Sequence, residues 1–224
     1  MKKLTQLAAA VALTAGAVAA TPAMAEVSAS VGVASTYLWR GYDLGSGTPA
    51  ISGDLSYSAA GFYTGIWGSS GDTSAGTEFD LYAGYGMEFE SGFFFDLSVW
   101  NYVYPTGAGY TIDGETDIGD LTDVILSVGF GPVAFSYYQP VAGACGGEPS
   151  TGCSNSYNYY SVSGELGSFS ATLGMHDDDG DDPMHLDVSY AYNDNLSFTF
   201  SQFVSDEPEG DDLKFVVSYS MPIE

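Results

Sequence analysis

Two basic residues set the chemistry this chain can offer. Lys2 and Lys3 head an apolar leader, so Arg40 and Lys214 are the only fixed cations of the remaining chain, against 29 acids. Such a balance excludes nucleic acid as a partner, because phosphate backbones are bound by clustered Lys and Arg. Asp177-Asp178-Asp179-Gly180-Asp181-Asp182 gathers carboxylates that suit a hard cation, and loosely shared Ca or Mg is expected there through Asp177, Asp178, Asp179, Asp181 and Asp182. It is not an EF-hand, since the twelfth position from Asp177 is Val188. Cys145 and Cys153 lie in a Gly/Ser/Pro-rich stretch, and in an exported chain their expected state is a disulfide closing a short loop. His176 and His185 are the only histidines; no nucleophile elbow accompanies them, so no enzyme and no cofactor are expected, and loop-end histidines are expected to be solvated.

The elements that must position these residues begin after a leader. Lys2-Lys3, the apolar run Leu4–Ala20 and Ala23-Met24-Ala25 form a secretory signal peptide, residues 1–25, with the mature domain expected over 26–224. Beyond it, apolar residues recur with period two, not 3.6. From Glu78 to Phe89, Phe79, Leu81, Ala83, Tyr85, Met87 and Phe89 share one face, and Glu78, Asp80, Tyr82, Gly84, Gly86 and Glu88 the other. Cutting at turn signals predicts twelve strands: 27–40, 50–59, 61–69, 77–89, 93–104, 121–130, 132–139, 156–166, 168–176, 184–192, 196–205 and 213–223.

The connections alternate in length. Short turns at Ala60, Glu90-Ser91-Gly92, Gly131, Gly167 and Asn193-Asp194-Asn195 separate long polar connections near 42–49, 70–76, 105–120, 140–155, 177–183 and 206–212. Outer-membrane barrels sort their loops this way, with short periplasmic turns and longer outer loops. No acid falls on the apolar face, as a lipid-facing surface requires, and closure is needed because every backbone polar group in a bilayer must be paired. The expected fold is therefore all-β: a closed antiparallel transmembrane barrel of twelve strands in the cell outer membrane. Tyr37, Trp39, Phe62, Phe93, Tyr104 and Tyr219, near strand ends, are expected in interfacial girdles.

Alternation places Asp54, Glu78, Asp80, Glu88, Asp96, Asp123, Glu165 and Asp187 on the inner wall, with Tyr82, Trp100, Tyr102, Tyr138 and Phe203. Arg40, ending the first strand, and Lys214, beginning the last, are expected at the outer mouth of the lumen. There they would pair with acids such as Asp54 or Glu78 and shape a constriction, or simply offset acid repulsion. A wall this negative concentrates cations.

The motifs Tyr37-Leu38-Trp39-Arg40-Gly41, Pro49-Ala50-Ile51, Gly61-Phe62-Tyr63-Thr64-Gly65-Ile66-Trp67-Gly68-Ser69, Glu78-Phe79-Asp80-Leu81-Tyr82-Ala83-Gly84-Tyr85 and Tyr102-Val103-Tyr104-Pro105 resemble the TorF-type porin family of proteobacteria. The likeness is sharpest over 28–105. It implies an outer-membrane porin with no catalytic residues; the narrow interior of twelve strands and its acidic wall suit passage of ions or small solutes with a preference for cations, and lipid, lipopolysaccharide and the barrel assembly machinery are the expected partners. The chain departs from the usual terminal aromatic of such barrels, ending Met221-Pro222-Ile223-Glu224, which bears on assembly efficiency. The other readings are a non-conducting structural or surface-interaction barrel and an outer-membrane enzyme. No residue pattern marks an oligomeric state.

Overall fold

The computed structural model describes residues 25–107, 118–119, 121–142, 157–177, 182–205 and 212–223. The leader through residue 24, Cys145, Cys153, Asp178, Asp179 and Asp181 lie outside them. Twelve strands close into one antiparallel barrel: β1 (Glu26–Ala34), β4 (Ala50–Ala59), β5 (Phe62–Asp72), β6 (Gly76–Glu88), β7 (Phe93–Val103), β8 (Leu121–Phe130), β9 (Val133–Ala142), β10 (Asn158–Leu166), β11 (Phe169–Asp177), β12 (Met184–Ala191), β13 (Leu196–Ser205) and β14 (Lys214–Pro222). A separate two-stranded hairpin, β2 (Leu38–Trp39) and β3 (Tyr42–Asp43), interrupts the first connection.

Sequential neighbours pair around the ring, and β1 closes it by pairing with both β4 and β14; Ser30, for example, faces Asp54 on one side and Pro222 on the other. Closure removes every open edge, so each strand's backbone groups are satisfied inside the sheet. The connection that sequence placed at 70–76 shrinks to 73–75 because β5 and β6 extend past it, with a register irregularity between Ser69 and Asp72.

The period-two pattern sorts side chains as expected, and in the inverse sense of a water-soluble barrel. Each barrel strand exposes at least one large apolar side chain outward, such as Val27, Ile51, Phe62, Leu97, Val162, Phe200 and Phe215, while Ser127, Ser136, Ser161, Thr199, Ser201 and Ser218 are buried inside. An apolar exterior around a polar interior has no energetic rationale in water, where exposed hydrocarbon costs about 25 cal/mol per Å². It is the distribution a hydrocarbon solvent selects.

One predicted strand ends early. β1 stops at Ala34, six residues short of Arg40, and the chain then turns inward. Tyr37 and Leu38 are consequently buried, and Tyr104, at the far end of β7, is buried with them. None of Tyr37, Trp39 or Tyr104 joins an outer girdle, whereas Phe62, Phe93 and Tyr219 do lie exposed on the outside.

Candidate functional site: a hairpin across the lumen

The hairpin reverses at Arg40-Gly41, with φ of 47° and 86°. Two successive positive φ values define the tight turn that matches strand twist, and Gly is the residue suited to it. Arg40 adopts it at a cost of about 1–2 kcal/mol for an L-residue, and this places a guanidinium at the tip. Gly41 has a second constraint. A Cβ there would stand 2.7 Å from His185 Cβ and 3.0 Å from Phe203 Cζ, so the tip lies against the wall of β12 and β13. The base is stitched internally: Thr36 Oγ1 donates to Asp43 Oδ1, Gly47 N donates to Asp43 Oδ2 (3.1 Å), and Leu44 N donates to Tyr37 O (2.8 Å).

The strand order puts β9 six places from β1 in either direction around the ring. The hairpin springs from β1 and reaches that opposite wall. Arg40 Nη2 lies 3.3 Å from Asp123 Oδ2 on β8, in an ion pair whose partners are both about nine-tenths buried. Its Cζ lies 4.4 Å from the Tyr138 ring on β9, 4.5 Å from Tyr159 on β10 and 4.5 Å from Trp39 beside it. Expected partners Asp54 and Glu78 are engaged elsewhere: Tyr82 donates to Asp54 (2.7 Å), and Tyr37 and Tyr104 donate to the two oxygens of Glu78 (2.7 and 2.8 Å). Burial first, and then the Glu78 and Asp80 carboxylates, push the Tyr37 phenol well above its ordinary range, which keeps it a proton donor to Glu78.

His176 and His185 are buried in the lumen, not solvated. His176 Nε2 faces the Arg40 carbonyl at 2.8 Å, and since a carbonyl only accepts, that nitrogen carries the hydrogen. In the neutral imidazole Nδ1 then accepts from Tyr157 Oη (2.9 Å), and Tyr157 Oη accepts from Arg40 Nη1 (3.2 Å). A closed ring of hydrogen bonds thus starts and ends on Arg40. His185 pairs with Asp187 (3.0 Å) and with Tyr159 Oη (2.8 Å).

Around the tip, inward side chains that a clear lumen would leave wet are dry. Asp80 is 0 % exposed, His185 1 %, Phe203 2 %, Tyr138 3 % and Tyr159 4 %. The hairpin fills the long-loop half of the barrel. Nearer the short turns, aromatic rings lie along the wall. A Cβ on Gly65 would meet Tyr82 Oη at 2.3 Å, and one on Gly84 would meet Tyr63 Oη at 2.4 Å, so each phenol lies flat over a neighbouring glycine. Tyr63 donates to Asp96 (2.9 Å), and the hydroxyl pairs Ser127–Ser136 and Ser189–Thr199 (both 2.8 Å) complete a polar lining.

The eight acids assigned to the inner wall divide by depth. Asp123, Glu78 and Asp80 surround the plug; Asp54, Asp96 and Asp187 line the lumen; Glu88 and Glu165 are exposed toward the short turns. Asp80 is singular, because neither of its oxygens meets a hydrogen-bond donor. Lys214 lies 5.3 Å from the Phe203 ring, against which the hairpin packs, and donates to the Asp212 carbonyl at 3.2 Å. Among the described residues no cluster of three or more His, Cys, Asp or Glu could hold a metal ion. Of the acidic run, Asp177 accepts from Tyr160 Oη (3.4 Å) and Asp182 is exposed.

A closed twelve-stranded barrel with an apolar exterior and a hairpin-filled acidic lumen is a form compatible with an outer-membrane, porin-like protein. The chain belongs to a bacterial family described as of unknown function (Gcw_chp), whose model matches residues 17–201. That match runs well past the 28–105 stretch where the motifs are densest. No curated protein matches the chain.

Proposed function

We propose that the protein is a narrow, cation-preferring porin of the outer membrane, throttled by its own first hairpin. The hairpin is the observation that carries this reading. It is latched to the opposite wall by one ion pair, a ring of hydrogen bonds and aromatic contacts, an arrangement that undocks without breaking any barrel strand. With the long loops outward, the hairpin obstructs the external half, and the half toward the short turns is lined by Asp54, Asp96, Tyr63, Tyr82 and serine hydroxyls, of which Asp96, Ser127 and Ser136 are themselves nearly fully covered.

Selectivity follows from charge. The wall carries eight acids against Arg40 and Lys214. Low-dielectric walls of one sign attract counter-ions and repel co-ions. The reading involves no bound cofactor and no catalysis. Its partners are lipid, lipopolysaccharide, the barrel assembly machinery and the permeating solute.

Refolded protein in a planar bilayer under a potassium chloride gradient tests it. Stepwise currents with a reversal potential toward the cation value are expected, and D54N/D96N is expected to move that potential toward zero. The near-complete burial around Arg40 equally favours a permanently closed barrel that serves a structural or surface-binding role. Silence from folded protein, including protein with the hairpin latch removed, would establish that second reading.

A further inference from the structure

The groups around the Arg40 guanidinium form a box that the barrel wall builds almost alone. Two ring faces, Tyr138 and Tyr159, stand 4.4 and 4.5 Å from Cζ; Asp123 supplies a carboxylate at 3.3 Å and Tyr157 a phenol at 3.2 Å. Only Trp39 arrives with the hairpin. Aromatic faces attract cations through their ring quadrupole, most strongly where water is excluded, and a nearby carboxylate adds charge-assisted hydrogen bonding.

The box is also held in shape without Arg40. Tyr102 donates to Asp123 Oδ2 at 3.2 Å, fixing the carboxylate. Tyr138 and Tyr159 meet edge to face at 5.2 Å, and Tyr159 is anchored on His185 at 2.8 Å, which is in turn anchored on Asp187. These contacts run between wall strands β7 to β12. Undocking the hairpin would therefore leave a preformed site, negatively charged and walled by two aromatic faces. Asp80, paired with Tyr102 across β6 and β7, brings no donor to the site. Among the described residues the one other Lys or Arg, Lys214, is held at Phe203 and Asp212.

We propose that this box is a solute-recognition site for small organic cations with a guanidinium head group, and that Arg40 occupies it as an internal stand-in. A solute that displaces Arg40 releases the hairpin tip, so recognition and unblocking become one event. The coupling to passage rests on the channel reading above; the site itself does not.

The test is chemical rescue. R40A vacates the box and leaves Asp123 uncompensated. The urea midpoint of refolded R40A in detergent micelles is followed with millimolar ethylguanidinium, and with ethylurea as the uncharged planar comparator. The expected result is a saturable rise with ethylguanidinium that is absent in wild type, absent with ethylurea, and at least about tenfold weaker in R40A/D123N. R40Q, which keeps much of the stem and has no charge, serves the same titration if R40A does not refold. No saturable rise, an equal rise with ethylurea, or an undiminished rise in R40A/D123N overturns the proposal. Bilayer currents separate it from the channel reading. A variant that conducts potassium chloride and shows no rescue loses the site and keeps the pore; rescue in a silent barrel loses the pore and keeps the site.

Discussion

Replacing Arg40 by Ala should loosen the hairpin while leaving the barrel intact. The substitution removes a nine-tenths-buried ion pair, and truncating one partner of such a pair costs about 3–5 kcal/mol, much of it from the carboxylate left behind. The lost Tyr138 and Tyr159 contacts add about 0.5–2 kcal/mol each. Tyr37–Glu78 and the His176 bond to the residue-40 carbonyl survive, so the lower figure is the safer one. At about 1.4 kcal/mol per tenfold, 3 kcal/mol raises the undocked-to-docked ratio about 150-fold. Hydrogen–deuterium exchange reports that ratio at Leu44 and Gly45, whose N–H groups donate to Tyr37 O inside the hairpin region, because a two-stranded hairpin freed from the wall is at best marginally stable and its internal bonds then open. Their exchange should accelerate by about two orders of magnitude, with barrel amides such as Ser35, bonded to Val217 O, changing little. Unchanged protection at 44 and 45, or an equal loss over the whole barrel, would refute the latch.

Further substitutions probe the other parts of the account. R40A and D123N should be non-additive in a double-mutant cycle of hairpin protection, with a coupling of about 1–3 kcal/mol; additivity within about 0.5 kcal/mol would deny the pairing. G41A should destabilise docking by about 2–4 kcal/mol, combining strain at φ 86° with a Cβ 2.7 Å from His185 Cβ, and hairpin exchange should rise accordingly. D80N should raise the urea midpoint, because the amide brings a donor to a buried position beside Glu78 where the acid oxygens meet none, whereas a fall would show that Asp80 is already satisfied in the folded protein. Y104F should lower stability by about 1–3 kcal/mol by leaving one Glu78 oxygen without its 2.8 Å donor, and an unchanged midpoint would remove that bond from the account.

The barrel was legible because its determinants are local. Alternation from Phe79 to Phe89 and from Phe215 to Met221 needs only near neighbours to be read, and lipid on one side makes the alternation strict. The same property concealed the hairpin. β2 is also extended, so Tyr37 and Trp39 continue the parity of Val31 and Val33 beyond the point where β1 ends. The available signal was Arg40-Gly41 flanked by Trp39 and Tyr42, a two-residue turn with a glycine between aromatic residues. Tyr104 misled for a related reason: an aromatic at a strand end suits an interfacial girdle, and only the position of Glu78 turns it inward. Arg40's partner was beyond sequence reasoning. Asp54 and Glu78 lie on strands close to β1 around the ring, but a hairpin that crosses the lumen meets β8, 83 residues along the chain. The buried histidines follow from the same crossing, since His176 and His185 are covered by a segment that period two assigned to the wall.

The most direct test of the central claim compares single-channel conductance of the wild type with a variant in which residues 37–47 are replaced by a short Gly-Ser linker. The account predicts brief or small cation-selective currents from the wild type and severalfold larger, longer openings from the shortened protein. Equal conductance in the two would place the hairpin outside the permeation path, and silence from both folded barrels would contradict the pore itself.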